Sequence, residues 1–464
     1  MRVPANERIG RELSFPAEYR QMPPVADALL PNAERLTAAE LLPHGQAAWQ
    51  HQRHYVANRS AFYRRLWGEG RQPPEDLREL PELPLSDKSQ LRDSQALKPP
   101  FGDYLGASPD SVQRLHRTSG TTGQAMNLAL SARDCEITEV IGGRSQSAAG
   151  LGPGHRVVHC LNYRMWMGGV SDHLTLERTG AMVVPFGVGD TELLVRTIRE
   201  LRIDAISCTP SYPAVLERVL AERFAELAPR DLGLRLGLFG GEPGLDDPAL
   251  RERIVALWGM QPRNANYGVS DVLSNFAAQC EHDTRLHFVA GDVLYPELIE
   301  PDSGQPLTIA AGASGELVLT HLQRDCQPLV RFRTGDIIAV DETEACRCGR
   351  AGMRFRVVGR SDDMLVVRGV NLFPSMVAAA LGGFDELSGD YRIVLDSPPP
   401  YDYLPLRVEL ARGAPPDLPR AALAERVAAL IKRRLGASAR VEVLAPGSFP
   451  LTEGKTRRII RNQP

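Results

Sequence analysis

Lysine is scarce in this 464-residue chain. Of 54 basic residues only Lys88, Lys98, Lys432 and Lys455 are lysine; the rest are arginine. Genomic composition accounts for such a skew, yet a lysine kept inside the glycine-containing run LTEGKTRR stands out against it. Charge of one sign is also lacking. A net charge of −3 gives no field to draw nucleic acid or an anionic membrane. No apolar run approaches the ~20 residues of a membrane span. The opening MRVPANERIGRELSF has neither the apolar core nor the cleavage pattern of a signal peptide. A cytoplasmic location is therefore expected, in which Cys135, Cys160, Cys208, Cys280, Cys326, Cys346 and Cys348 stay reduced. Seven cysteines also argue against a complete disulfide framework. There is no internal repeat and no low-complexity tract.

What is present has a clear order. Residues 1 to about 110 are rich in Pro, Arg and Glu, with helical patterns such as Ala47–Leu66 broken by proline clusters. From Leu115 to about Val340, short apolar runs alternate with amphipathic stretches. Arg156–Leu161, Ala181–Pro185, Ala205–Cys208 and Leu234–Phe239 read as strands. Thr191–Leu201 and Ser211–Leu227 read as the helices between them. That alternation predicts α/β layers with mostly parallel sheets. Gly315–Thr320 and Gln327–Phe332 read as later, more antiparallel strands. A break falls near Gly359–Asp363. Beyond it, strands Arg392–Asp396, Pro405–Leu410 and Arg440–Leu444 and the helix Ala421–Leu435 predict a small α+β domain.

RTSGTTGQ at Arg117–Gln124 offers small hydroxyls, backbone N–H groups and flexible glycines, which suit phosphate oxygens. The Walker A spacing is absent, and alone such a run is more often a surface turn. Four more motifs follow: NYGVSD at Asn266–Asp271, RTGDI at Arg333–Ile337, GRSDDMLVVRGVNLFP at Gly359–Pro374, and SFPLTEGKTRRII at Ser448–Ile460. In this order the five resemble the adenylate-forming superfamily of acyl-CoA synthetases, adenylation domains and luciferases. With CTPSY at Cys208–Tyr212 and GLFGGEP at Gly237–Pro243, the match is nearest to the phenylacetate–CoA ligase family. The resemblance covers roughly residues 45 to 464.

The resemblance implies a two-step reaction. A carboxylate attacks the α-phosphate of ATP to give acyl-AMP and pyrophosphate; a thiol, usually coenzyme A, then displaces AMP. Thr118, Ser119, Gly120, Thr121, Thr122 and Gly123 match the loop that holds the β- and γ-phosphates. Gly241, Glu242, Pro243, Asn266, Tyr267 and Gly268 match positions around the adenine. Asp336 matches the carboxylate that receives the ribose hydroxyls, and Arg360 an arginine near ribose and phosphate. Lys455 matches the lysine bridging carboxylate and α-phosphate; a compact, mobile cation suits that task. Asp362 matches the hinge, so a large domain 1–361 and a small mobile domain 362–464 are implied. A homodimer is implied only in the same way.

Two positions depart from the family pattern. The phosphate loop ends Gly123-Gln124 where relatives have Gly-Lys, so a cation is missing there. Asp271 replaces a glutamate that helps to hold Mg²⁺; the shorter side chain suits contact through water. Cys280 and His287, with Cys346 and Cys348, form a Cys₃His set that suits structural Zn²⁺, with His282 as a rival fourth ligand. Reduced, unpaired cysteines beside an ordinary histidine are the other reading. Tyr163, Trp166, Phe186, Tyr212 and Phe239 are aromatic candidates for an apolar pocket, and the resemblance implies an aryl or arylacetic acid. The acceptor stays open between coenzyme A, a carrier-protein thiol and an amine. A catalytically dead adenylate-binding module is the remote alternative.

Overall fold

The short apolar runs become neighbours in one long sheet. The computed structural model describes residues 29–118, 125–415, 417–449 and 458–462. Twelve strands among them form a continuous sheet. One half is parallel: Met182–Pro185, Arg156–His159, Ala205–Cys208, Leu236–Gly240 and Gln261–Val269 lie side by side in that order. Parallel neighbours need crossovers, and helices Met167–Glu177, Thr191–Glu200, Tyr212–Arg223 and Pro248–Trp258 supply them. Side chains alternate between the two faces. Val158, Ile206 and Phe239 enter one apolar cluster, whereas Val157, Ala205 and Leu238 enter another.

Beyond Val269 the sheet continues antiparallel through Leu273–Ala278, Leu286–Phe288, Arg354–Arg360, Phe332–Glu342, Ser314–His321 and Leu294–Ile299. The N-terminal helices pack on this half: Trp49, Val56, Phe62, Tyr63 and Trp67 share a core with Phe276, Phe332 and Phe355.

Two expectations are corrected. The helix expected over Ala47–Leu66 is two helices, Ala38–Arg59 and Ala61–Trp67. Ser60 divides them because it is extended and its hydroxyl accepts from Tyr63 N, capping the second helix. Residues 327–331 are not strand; the strand starts at Phe332. Arg331 has φ +48°, which breaks extended pairing. Its guanidinium is buried on Glu297 at 3.0 Å.

The C-terminal part has its own core, built from Leu365 onward: Val377, Tyr391, Ile393, Leu406, Val427 and Ile431 all belong to it. Its four strands run Ala439–Leu444, Leu404–Leu410, Leu387–Leu395, Ile459–Arg461, with helix Arg420–Leu435 packed on them. A large sheet domain and a smaller α/β domain are thus present. Among the described residues no helix is long and apolar enough to cross a membrane.

Candidate active site

In open α/β sheets, ligands collect beyond the carboxyl ends of parallel strands. Two of the motif loops leave the parallel strands at those ends. Thr209–Tyr212 leaves the strand ending at Cys208, and Gly241–Pro243 leaves the strand ending at Gly240. The two loops are tied together by Ser211 N donating to Glu242 Oε1 at 2.9 Å. Asn266 lies in register with Gly240 on the next strand.

Asp336 is the focus of a polar cluster. Strands Phe332–Glu342 and Arg354–Arg360 pair so that Asp336 faces Arg360. Arg360 Nη1 donates to Asp336 Oδ1 at 2.7 Å, and Tyr267 Oη donates to Oδ2 at 2.8 Å. Gly335 turns the chain with φ +77°; a Cβ there would stand 2.8 Å from Arg360 Nη2. The Tyr267 ring is wedged edge-on against Phe276 and Phe355, with centroids 5.3 and 5.4 Å away. Loss of solvation, and then the Asp336 charge, push its phenol well above the usual range. It therefore remains a donor. Gly268 beside it is required by close approach, because an added Cβ would lie 1.8 Å from Ser274 O.

Asp271 has a partner that sequence reasoning missed. Lys88 Nζ donates to Asp271 Oδ2 at 2.8 Å, across 183 residues of chain. Asp271 is buried, and its Oδ1 has no partner. The carboxylate expected to contact magnesium through water is thus half engaged by an ammonium. The scarcity of lysine was the available signal for Lys88; nothing in the spacing linked it to Asp271.

A second missed carboxylate lies on helix Met167–Glu177. Asp172 is 2% exposed. Its Oδ2 accepts from Asn266 Nδ2, and its Oδ1 has no partner. Burial pushes its pKa up to about 7, opposed by the Asn266 hydrogen bond and, more weakly, by Ser274. The Ser274 hydroxyl is itself directed to Asn275 Oδ1 at 2.6 Å.

The aromatic candidates divide. Tyr163 and Trp166 flank the start of the Asp172 helix and are partly exposed. Tyr163 Oη bonds His173 Nδ1 at 2.9 Å. Phe186 and Tyr212 pack partly buried on the edge of one apolar cluster. Phe239 is different: it is fully buried inside that cluster. It is a core residue here, because its strand places alternate side chains in the core.

Thr118 follows strand Arg114–Arg117, which pairs antiparallel with Asn127–Leu130. Its N–H donates to Met126 O, and its Oγ1 accepts from Met126 N, both at 3.0 Å. Ser119, Gly120, Thr121, Thr122, Gly123 and Gln124, and Lys455, lie outside the described residues. So does the side chain of Asp362, whose backbone is in the short 3₁₀ turn Ser361–Asp363.

The Cys₃His set does come together. Ligand atoms of Cys280, His287, Cys346 and Cys348 all lie within 4.8 Å of one another. Cys280 Sγ and Cys346 Sγ are 3.9 Å apart, and Cys348 Sγ and His287 Nε2 are 3.8 Å apart. Tetrahedral bonds of about 2.3 Å to sulfur predict edges of about 3.8 Å. His282 is not in the set; its Nε2 pairs with Glu281 at 3.2 Å.

Residues 369–463 match the AMP-binding enzyme C-terminal domain. The chain is 34% identical over 429 residues to the phenylacetate-coenzyme A ligase of Thermus thermophilus, covering 88% of this chain and 93% of that one. Among solved structures it resembles a 2-hydroxyisobutyryl-CoA ligase with 2-HIB-AMP in the postadenylation state. The TM-score is 0.84 at 29% identity, covering 96% of this chain and 94% of that one. The same enzyme in its thioesterification state, with 2-HIB-AMP and CoA, gives a TM-score of 0.67 at 30% identity with the same coverage.

Proposed function

We propose, from the premise that this chain belongs to the phenylacetate–coenzyme A ligase family, that the acid it activates is an aryl or arylacetic acid. The chain is an AMP-forming ligase: ATP activates a carboxylic acid, and the acyl group passes to coenzyme A. The observation that carries the site assignment is the Tyr267–Asp336–Arg360 cluster, built across strands Gln261–Val269, Phe332–Glu342 and Arg354–Arg360.

In this reading Asp336 accepts the ribose hydroxyls, as acidic residues do in other nucleotide sites. Arg360, already poised on Asp336, lies between ribose and phosphate. Adenylation gathers negative charge at the phosphates, so it needs placed donors and cations. The loop Thr118–Gly123 supplies backbone and hydroxyl donors. Lys455 bridges the acid carboxylate and the α-phosphate. Gly241, Glu242, Pro243, Asn266, Tyr267 and Gly268 surround the adenine. Tyr163, Trp166, Phe186 and Tyr212 border the acid.

Magnesium suits the chemistry of such a site, and the unpartnered Asp271 Oδ1 fits an ion's water shell. When bound it neutralises phosphate charge. Lys88 adds a fixed cation on the same carboxylate. Zinc fits the Cys₃His set by donor type and by the S···S edge. It would clamp the Cys280–His287 segment to the Cys346–Cys348 loop, away from the chemistry.

Asp362 is read as a hinge. Identity and coverage barely change between the two states of the 2-hydroxyisobutyryl-CoA ligase, but the TM-score falls from 0.84 to 0.67. That difference supports a change in arrangement between the two parts of the fold, with this chain nearer the postadenylation form.

The test is pyrophosphate release with a panel of aryl and arylacetic acids, followed by mass detection of the thioester on adding coenzyme A. Release with aromatic acids, and a thioester, are expected. Release only with short aliphatic acids would overturn the aromatic assignment. Release without any thioester would point to an amine or carrier-protein acceptor.

A further inference from the structure

At the end of the parallel sheet remote from the motif loops lies a cavity of about 510 Å³. Its charged lining is Arg156, Arg199, Arg202 and Arg235, with Asp204 and Asp231. Arg156 opens one strand, while Asp204 and Arg235 directly precede two others, Ala205–Cys208 and Leu236–Gly240. The cavity therefore lies at the amino ends of these strands, whereas Thr209–Tyr212 and Gly241–Pro243 leave the carboxyl ends. The strands are four or five residues long, which puts about 13–17 Å between the two ends.

The carboxylates in this lining are already engaged. Asp204 Oδ1 accepts from Arg156 N at 2.8 Å, and its Oδ2 accepts from Arg235 Nη2 at 2.7 Å. Asp231 Oδ2 accepts from Ala228 N at 2.8 Å, inside its own turn. Arg156 Nη1 donates to the Leu201 carbonyl at 2.9 Å. Among the described residues, the guanidinium groups of Arg199 and Arg202 have no ion-pair or hydrogen-bond partner. Three guanidinium charges thus line one cavity with no carboxylate paired to them, in a chain whose net charge is −3. All four arginines are exposed, so a ligand has access to them.

Arg202 also occupies a position that suits another residue. Helix Thr191–Glu200 ends with Ile203 N donating to Ile198 O at 2.9 Å, a closure that sets Arg202 at φ +51°. Helices closed in this way usually carry glycine there, and a side chain in the left-handed region is strained. What arginine supplies in return is a guanidinium on the cavity. The helix dipole favours cations at this end. That accounts for Arg199 and Arg202, and not for Arg156 and Arg235, which arrive from other segments.

We propose that this cavity is a second binding site, separate from the adenylation site, for a phosphate-bearing small molecule. Guanidinium forks match phosphate oxygens two at a time. The volume falls within the range of about 300–1,000 Å³ typical of small-molecule sites. Arg199 and Arg202 hold the phosphate from the helix end, and Arg156 holds it from the strand. Inorganic phosphate, pyrophosphate, a nucleotide and coenzyme A share this chemistry.

The test is equilibrium dialysis of the full-length protein against labelled inorganic phosphate, pyrophosphate, AMP and coenzyme A, one at a time. Wild type is compared with the double variant Arg199→Ala/Arg202→Gly; glycine suits the backbone at 202. Wild type is expected to bind one more equivalent of at least one probe than the double variant, and the probe bound tightest names the source. Arg199→Ala alone is expected to weaken that binding by about tenfold. The double variant's rate of pyrophosphate release is expected to match wild type. Equal binding by wild type and variant with every probe would overturn the proposal, since any binding seen would then belong to the adenylation site. Loss of pyrophosphate release together with binding would overturn the separation of the two sites. Hydrogen exchange needs no variant: in wild type it is expected to slow across residues 199–204 when the tightest probe is added. No protection there would overturn the proposal as well. Dialysis and exchange need no acid, so their outcome stands apart from the reading of the acid as aromatic.

Discussion

Asp336 holds two donors at once, Tyr267 at 2.8 Å and Arg360 at 2.7 Å. Removing it takes one acceptor from Arg360 and from Tyr267, and in the proposed reading it takes the acceptor of the ribose hydroxyls as well. Hydrogen bonds to charged groups contribute about 1.5–3 kcal/mol each. Asp336→Ala is therefore expected to lower kcat/KM for ATP by about tenfold to a hundredfold, measured by pyrophosphate release. An unchanged value would remove Asp336 from the nucleotide site. Asp172 makes a different prediction. Its folded pKa is raised from 3.8 to about 7, so between those values the folded state binds more protons than the unfolded state. Stability from this group must then fall as pH rises through that window and level off above it. Asp172→Asn lacks the titration. Its melting temperature relative to wild type is expected to climb from pH 4 to pH 7, read by thermal unfolding across pH. A flat difference would show that the Asp172 carboxyl titrates normally.

At the scale of elements, the strand Gln261–Val269 delivers Asn266 and Tyr267 to the site only because its turn is tight. Gly268→Ala would place a Cβ 1.8 Å from the Ser274 carbonyl oxygen. Backbone must shift, at a cost of about 1–3 kcal/mol as for other overpacked sites. Lower melting temperature and weaker ATP use are expected together. A variant as stable and active as wild type would show that the hairpin yields freely. The Cys₃His set joins two other elements, the segment Cys280–His287 and the loop Cys346–Cys348. Purified enzyme is expected to hold about one zinc per chain by metal analysis. Stripping it with a strong chelator should lower the melting temperature while the remaining folded enzyme still adenylates, since the cluster is structural in this reading. Absence of zinc in freshly prepared protein would leave four reduced ligands in place of a clamp.

Among the described residues the C-terminal apolar cluster is separate from those of the large domain. The C-terminal core contains nothing before Leu365. One cross-link is Arg412 to Glu222 at 3.2 Å, with both side chains exposed, and such pairs contribute little. Relative domain motion is the default expectation unless an interface is large and apolar. The 3₁₀ turn Ser361–Asp363 is where the chain passes between the cores. Proline fixes φ and removes a donor, so Asp362→Pro should freeze one arrangement. Adenylation is expected to survive near wild-type rate while thioester formation drops by at least about tenfold, measured as separate half-reactions. Equal loss of both would place the hinge elsewhere.

Reaction class was legible in the chain through five motifs whose order resembles the adenylate-forming superfamily, and the α/β layering through short apolar runs alternating with amphipathic stretches. Ala205–Cys208 was read to the residue, since four buried apolar or small residues between turns have few other uses. Local pattern misplaced 327–331, where a long-range ion pair from Arg331 to Glu297 overrides strand propensity. It gave no sign of Lys88 on Asp271 or of Asn266 on Asp172, because those partners are 183 and 94 residues apart. Spacing suggested the four zinc ligands but could not bring them within reach; pairing of Leu286–Phe288 with Arg354–Arg360 does that. What the sequence by itself determined is the kind of chemistry, carried by short contiguous motifs. What only the tertiary structure decided is which charges meet, because burial and long-range pairing, not neighbourhood in the chain, set the partner of each carboxylate.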